Sequence, residues 1–537
     1  MKVRDFSRGS ETAMTITSEP DNVRPAAVAS GAIATSHHLA TEAGEAAYAA
    51  GGNAIDAALA AAAALAVVYP HNTSLGGDLV ALVRTPTGEI HCVNATGVAA
   101  GGVDIARLRE RYAGKLPERG VDSISLPGTV SGWRALDGFG AALPWADQFT
   151  KAITYATDGF PVSRSLAAAL SAGRAFIEQD AGMASVFLAD GDPLSVGDDL
   201  RQPALATSLE RLAAHGPDEF YSGDLGHRLV EGLAQMGSPF TTKDFEEYQA
   251  EVSAPISAEY RGHEVFTSPP NTQGFILLRV LRQLEALGVS DPLGRGAGVL
   301  SKLFAEGNSF REELLADPRF SNVDLTQLLT GPKPGGEGDG NVQIPTGDTV
   351  GIAAADSDGF AVSLIQSVYS SFGSGVLEPS TGILMQNRGT SFSLDAESPN
   401  VLAPGKRPSH TLMPVLITRD GALRWANATM GGKGQPQIHT QALHRLLSGS
   451  TPKQTVASPR WIVGPKVPTD STKTTYVESD LSAEVKSVIT STGFPIREVP
   501  PLTDWIGHLQ VVEADATGFT AASDPRSDGS AVVVTRP

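Results

Sequence analysis

The stretch "GPKPGGEGDG", Gly331 to Gly340, constrains this chain more than any other, because seven of its ten residues are glycine or proline. Such a run can neither propagate a helix nor fill a central strand, so it predicts a flexible linker or exposed loop, drawn here over 330–348. Immediately beyond it the texture changes. "TVGIAAAD" opens at Thr349, an Asp358-Gly359 pair suits the positive φ angles of a tight turn, and "FAVSLIQSV" follows as a second apolar arm. These residues predict a hairpin buried on both faces.

Upstream, "SHHLATEAGEAAYAAGGNAIDAALAAAAALAVVYP" predicts two helices separated by Gly51-Gly52. Asn53 can cap the second, which is so rich in alanine that it must pack closely between layers. Residues 1–25 are expected to be a disordered lead-in. The middle, about 105 to 330, alternates helical patterns such as Ala204 to His215 and Leu277 to Leu287 with turn-rich connectors, and reads as helical and supportive. Downstream, "TLMPVLITRD", "LRWANATMGG", "HLQVVEAD", "GFTAASD" and "SAVVVTRP" predict strands, accompanied by two helices. Sheets sandwiched by helices follow.

A length of 537 residues allows about three domains or one large layered α/β unit. With 41 Lys+Arg against 59 Asp+Glu the formal net charge is -18, which repels nucleic acid. Cys92 is the only cysteine, so an internal disulfide and a cysteine-based metal site are both excluded. The polar N-terminus lacks the apolar core of a secretory signal, and the longest apolar run, Ala57 to Val68, is too short to span a bilayer. The expectation is a cytoplasmic protein without a membrane partner, in which the Asn-x-Ser/Thr triplets at Asn72, Asn94 and Asn427 carry no glycan. No Walker lysine, HExxH helix or GxSxG elbow occurs. His37 and His38 open a helix and read as solvated or locally bonded.

What remains is the boundary between Asp348 and Thr349. If that bond were cut, Thr349 would carry a hydroxyl nucleophile and its own α-amine, which titrates near pKa 8 and can take the hydroxyl proton. The other reading is a β-branched residue that merely starts a strand.

Among known families, the residues resemble the γ-glutamyltranspeptidases, which are N-terminal-nucleophile hydrolases. The resemblance rests on "TVGIAAADSDGFAVSLIQSVYSSFGSGVLEPSTGILMQNRG" and on "GGNAIDAALAAAAALAVVYPHNTSLGGD", "SLPGTVSGW", "FYSG", "ISAEYRGHEVFTSPPNTQG", "PGKRPSHTLMP" and "ATMGGKGQPQ", in the family's order. It implies a four-layer αββα sandwich of mixed α/β class, made as one precursor. Cleavage between Asp348 and Thr349 would leave a helix-rich large subunit, 26–348, and a β-rich catalytic small subunit, 349–537, intertwined as one unit, with a homodimer of that heterodimer as a further expectation. It also implies Thr349 as nucleophile, Ser367 as the hydroxyl that helps activate it, Gly431 and Gly432 as the oxyanion hole, and no metal or organic cofactor.

The departures from the family are as informative. Its second threonine and its histidine after the nucleophile become Val350 and Gly351. The arginine that holds the glutamyl carboxylate becomes Thr96, the residues that hold the amino group become Arg388 and Ser391, an asparagine becomes Tyr369, and a Ser-Ser pair becomes His410 and Thr411. A cationic amine beside Arg388 is disfavoured, so the expected substrate is a small amide with a carboxylate close to the acyl carbon. "QNRG" and "PGKRPSHT" resemble the branch of oxamate amidohydrolases and cephalosporin-acylase-like homologues. Other roles are open for the same residues: Arg388 paired with an internal acid, Arg407 structural, His410 a satisfied core residue. Alternative functions are a C–C bond hydrolase with the same machinery and an unprocessed, inactive binding homologue.

Overall fold

In the computed structural model, residues 29–332 and 348–535 are described. The expected lead-in lies outside them, as does most of the expected linker; Thr330 ends a helix and Asp348 opens a strand. Two central sheets take, in chain order, β1 (Ala29–Thr35), β2 (Asp78–Arg84), β3 (Ile90–Ala95), β4 (Glu251–Ser253), β5 (Ile256–Tyr260), β6 (His263–Thr267), β7 (Asp348–Asp356), β8 (Ala361–Tyr369), β9 (Val415–Arg419), β10 (Ala422–Met430), β11 (His508–Asp515), β12 (Gly518–Ser523) and β13 (Ser530–Thr535). The first sheet runs β13-β1-β7-β8-β2-β3-β4 and the second β12-β11-β10-β9-β6-β5, with antiparallel ladders throughout. Both sheets therefore mix strands from before and after position 349.

Helices α1 (His38–Ala49) and α2 (Ala54–Val68) cover the outer face of the first sheet; α3 (Phe275–Ala286), α4 (Ala297–Leu314) and α5 (Gln435–Leu447) cover that of the second. A third, smaller core of Val80, Ala353, Ile365, Leu416, Ala428 and their neighbours fills the space between the sheets. The result is the four-layer αββα sandwich.

The small residues of β7 follow from its place at the centre. A Cβ on Gly351 would lie 2.9 Å from the Ala428 backbone of β10, so the sheets can approach this closely only over glycine. On its other face β7 meets α2, whose residues are all buried and whose alanines permit a close helix–sheet contact. Asn53 starts α2 with a capping box: its side chain accepts from the Ile55 N–H at 2.9 Å, and Asp56 accepts from the Asn53 N–H at 2.8 Å. Asp356, at the end of β7, accepts from the Ala54 N–H at 2.7 Å and ties the helix to the hairpin. Gly359 turns that hairpin with φ +100°.

Two expectations change. The middle region is not helical support alone, because it supplies the edge strands β4 and β5 and the strand β6 beside β5. Arg261 and Gly262, both at positive φ, form the two-residue turn between β5 and β6; arginine is not a usual turn former, which hid the hairpin. The C-terminal third holds three helices rather than two among its described residues: α5, Pro452–Ala457 and Ala483–Thr490. The last two span only six and eight residues, too short for a strong periodic signal. No helix among the described residues is long and apolar enough to cross a membrane.

Candidate active site

The ladder between β7 and β8 slips at its open end: Val350 pairs with Gln366 but Asp348 pairs with Tyr369, leaving one extra residue on β8. This bulge turns Ser367 toward the start of β7. The Thr349 hydroxyl donates to Ser367 Oγ at 3.0 Å, and the Ser367 hydroxyl donates to the Asp348 carbonyl at 2.8 Å. Ser367 Oγ also accepts from the Tyr369 N–H at 2.8 Å. One hydroxyl thus links the candidate nucleophile to the carbonyl of the bond before it. Thr349 is 1% exposed, and its own carbonyl accepts from Asn72 Nδ2 at 3.3 Å.

Tyr369 pays for the bulge with φ +81°, a conformation that costs a bulky residue about 1–3 kcal/mol. It is held there by the Ser367 bond and by the Arg388 guanidinium, which stacks 3.7 Å from the ring centre. Arg388 is buried and donates to Thr411 Oγ1 at 2.9 Å and to Ser391 Oγ at 3.4 Å. Among the described residues no carboxylate pairs with it. Burial brings its guanidinium down to about 10, so it is still a cation at neutral pH.

Tyr369, Ser391, His410 and Thr411 border a cleft of about 370 Å³, together with Arg311 and Lys433. Arg388 stands directly behind that wall. His410 is a saturated group: Nε2 bonds to Asp78 at 2.8 Å and Nδ1 accepts from the Leu412 N–H at 3.2 Å. Burial and the Arg388 charge push it down to about 4, so it is neutral. Thr96 is not brought to the cleft; it lies in a buried network with Asn94, at 2.8 Å, and Asn271. Arg407 binds Glu251 at 2.6 Å and is structural.

Gly431 and Gly432 follow β10 and lead into α5, with φ +153° and +51°. Only glycine suits the first, where a Cβ would also meet Ile438 at 2.6 Å. Among the described residues neither N–H has an acceptor, which leaves two donors near the positive end of α5. Gly431, Met430 and Asp348 border a common cavity, so this turn and the cleavage point lie at the same end of the sandwich.

Sequence reasoning did not single out Gln273, the residue that ties these parts together. Fully buried on the loop before α3, it donates to the Thr411 carbonyl at 2.7 Å and to the Gly432 carbonyl at 2.8 Å. Its own carbonyl accepts from Arg311 at 2.8 Å. Its only sequence signal was its place in "PPNTQG", among the blocks in family order. Among the described residues no cluster of His, Cys, Asp and Glu could hold a metal ion.

The family model described as Gamma-glutamyltranspeptidase matches residues 40–534. The chain belongs to the γ-glutamyltranspeptidase family. It is 36% identical over 524 residues to the oxamate amidohydrolase proenzyme of Klebsiella pneumoniae, covering 92% of this chain and 97% of that one. It is also 36% identical over 517 residues to the glutathione hydrolase-like YwrD proenzyme of Bacillus subtilis, covering 93% and 98%. The crystal structure of cephalosporin acylase from Bacillus halodurans superposes with a TM-score of 0.87 at 31% identity, over 98% of this chain and 100% of that one. The protein is thus an enzyme of this family's hydrolase and acyltransferase type, with the N-terminal-nucleophile fold.

Proposed function

We propose that the chain cuts itself before Thr349 and then hydrolyses a small, carboxylate-bearing amide. The observation that carries this reading is the hydrogen-bonded chain from the Thr349 hydroxyl through Ser367 to the Asp348 carbonyl. Thr349 Oγ attacks that carbonyl carbon, Ser367 stabilises the developing oxyanion, the C–N bond breaks and the nitrogen takes the proton. Water then hydrolyses the ester, freeing the Asp348 carboxylate and restoring the Thr349 hydroxyl beside the α-amine that the broken C–N bond released.

In the second reaction the α-amine accepts the Thr349 Oγ proton as the oxygen attacks the substrate acyl carbon. The Gly431 and Gly432 N–H groups receive the oxyanion, each such donor being worth about 3 kcal/mol. The α-ammonium returns its proton to the leaving amine, and water releases the acid. Arg388 donates to Ser391 and Thr411, so each of these hydroxyls keeps its own O–H to donate to a carboxylate in the cleft. A buried, carboxylate-free guanidinium behind them supplies the positive field, and an ammonium group there would be repelled. The name of the Klebsiella relative agrees with such a substrate.

Denaturing electrophoresis tests the first step. Fragments of about 36 and 20 kDa are expected from the 55.8 kDa chain, divided by length at Thr349. An uncut chain, unaltered by Thr349→Ala, sinks the proposal. Turnover of oxamate, exceeding that of a γ-glutamyl anilide, tests the second; the reverse preference refutes the role given to Arg388.

A further inference from the structure

A second cavity, of about 420 Å³, borders the cleavage point and shares no lining residue with the Arg388 cleft. The Asp348–Thr349 bond separates the two: Asp348 lines this cavity, and its ladder partner Tyr369 lines the other. At its deep end stand His71, Asn72 and His508, none more than 4% exposed. His71 Nδ1, Asn72 Oδ1 and His508 Nδ1 are all buried without a hydrogen-bond partner, a costly arrangement unless something polar enters. One part of the wall is apolar, with Phe176, Ala169, Ala172 and the half-exposed Trp505; the rest carries charged groups.

The charges of this cavity depend on the bond being intact. Glu118 faces Arg119 at 3.7 Å, and Asp504 bonds His508 at 3.3 Å. Arg119 is further engaged by the carbonyls of Ser371 and Gly373. The Lys466 ammonium lines the same cavity as Asp348 and has neither an ion-pair nor a hydrogen-bond partner among the described residues; burial pushes it down to about 8, against the opposing pull of the Asp348 charge. Cutting the chain makes Asp348 a free end that carries a second carboxylate and is no longer tethered to Thr349 beside Lys466.

The direction of catalysis adds an independent constraint. The nitrogen now joined to Asp348 becomes the α-amine of Thr349, which must hand a proton to the leaving amine. The acyl half of the substrate therefore lies on the Arg388 side, and the amine half on the Asp348 side. We propose that, after cleavage, this cavity is the subsite for the amine half of the substrate, taking an apolar body against Phe176 and Trp505 and a carboxylate at Lys466. The substrate class is then an amide joining a carboxylate-bearing acyl group to an apolar amino acid, as in an N-oxalyl amino acid. This inference rests on the proposed amidohydrolase reading and extends it from the acyl half to the amine half.

L-phenylalanine, the amine half alone, is the probe for calorimetric titration. Processed wild-type protein binds it, Lys466→Met binds it about tenfold more weakly, and the uncut Thr349→Ala chain, with Asp348 in place, does not bind it. In turnover, N-oxalyl-phenylalanine exceeds both oxamate and N-benzyloxamate, which lacks the second carboxylate, and Lys466→Met lowers turnover of N-oxalyl-phenylalanine more than that of N-benzyloxamate. Processed protein that ignores L-phenylalanine, or binds it equally without Lys466, overturns the subsite while leaving oxamate turnover and the proposed function intact. A chain that never cuts overturns both.

Discussion

Replacing Ser367 by alanine removes a single hydroxyl that makes three hydrogen bonds at the cleavage point, of 3.0, 2.8 and 2.8 Å. The bond to the Asp348 carbonyl lies where negative charge develops during self-cleavage, and loss of one such donor costs about 2.7–4 kcal/mol, or about 10²–10³ in rate. The bond from the Tyr369 N–H is different: its loss strands a buried donor at about 1–3 kcal/mol, which weakens the fold but leaves the barrier unchanged. Ser367→Thr separates the effects, since it keeps the hydroxyl while adding a methyl group. The assay is a time course of the 55.8 kDa chain on denaturing gels after rapid purification. Ser367→Ala should persist uncut for hundreds of wild-type half-times, with Ser367→Thr much closer to wild type. Wild-type cleavage in Ser367→Ala would refute the link between this hydroxyl and the scissile carbonyl.

Other outcomes follow from the same geometry. Gln273→Met keeps the side-chain length but strands the Thr411 and Gly432 carbonyls and takes one partner from Arg311; kcat should fall at least tenfold with a smaller change in KM, measured by steady-state kinetics. Arg388→Met should raise the thermal midpoint, because it removes a buried cation without a carboxylate partner, and should abolish oxamate turnover in the same preparation. Gly431→Ala forces a side chain into φ +153° and against Ile438, so processed protein should lose about 10² or more in kcat. Burial pushes the Asp348 carboxyl up to about 7, from an unfolded value near 3.8. Between these values the unfolded chain binds fewer protons than the folded one, so this group's contribution to stability falls as pH rises from about 4 to about 7. Urea titration of uncut Thr349→Ala should show that decline, and adding Asp348→Asn should flatten it.

Where the physics is local, the sequence is legible. The Asp358-Gly359 turn, the Asn53 cap and the alanines of α2 act over a few residues, and the structure has the hairpin and both helices where those residues point. Gly351 is a different case: its identity breaks the family pattern, and only the packing of Ala428 from the opposite sheet explains why no side chain fits. Asn72 reaches the cleavage point, and Gln273 and Arg311 reach Thr411 and the Gly432 turn, from remote segments, so nothing near them in the chain signals their partners. Arg388 was legible as a charge without an acid beside it, but not its position behind a wall of hydroxyls, which depends on the positive φ of Tyr369.

Strand β7 lies between β1 and β8, with hydrogen-bonded neighbours that originate on either side of position 349. A cut before Thr349 would therefore leave two polypeptides threaded through the same two sheets, neither holding a complete sheet. The uncut chain can find this arrangement as a unimolecular search; the severed halves, once unfolded, would have to find each other in solution. Such a molecule folds once and afterwards survives by the slowness of its unfolding rather than by reversible equilibrium. Its recovery from denaturant should be complete before processing and, after it, dependent on concentration.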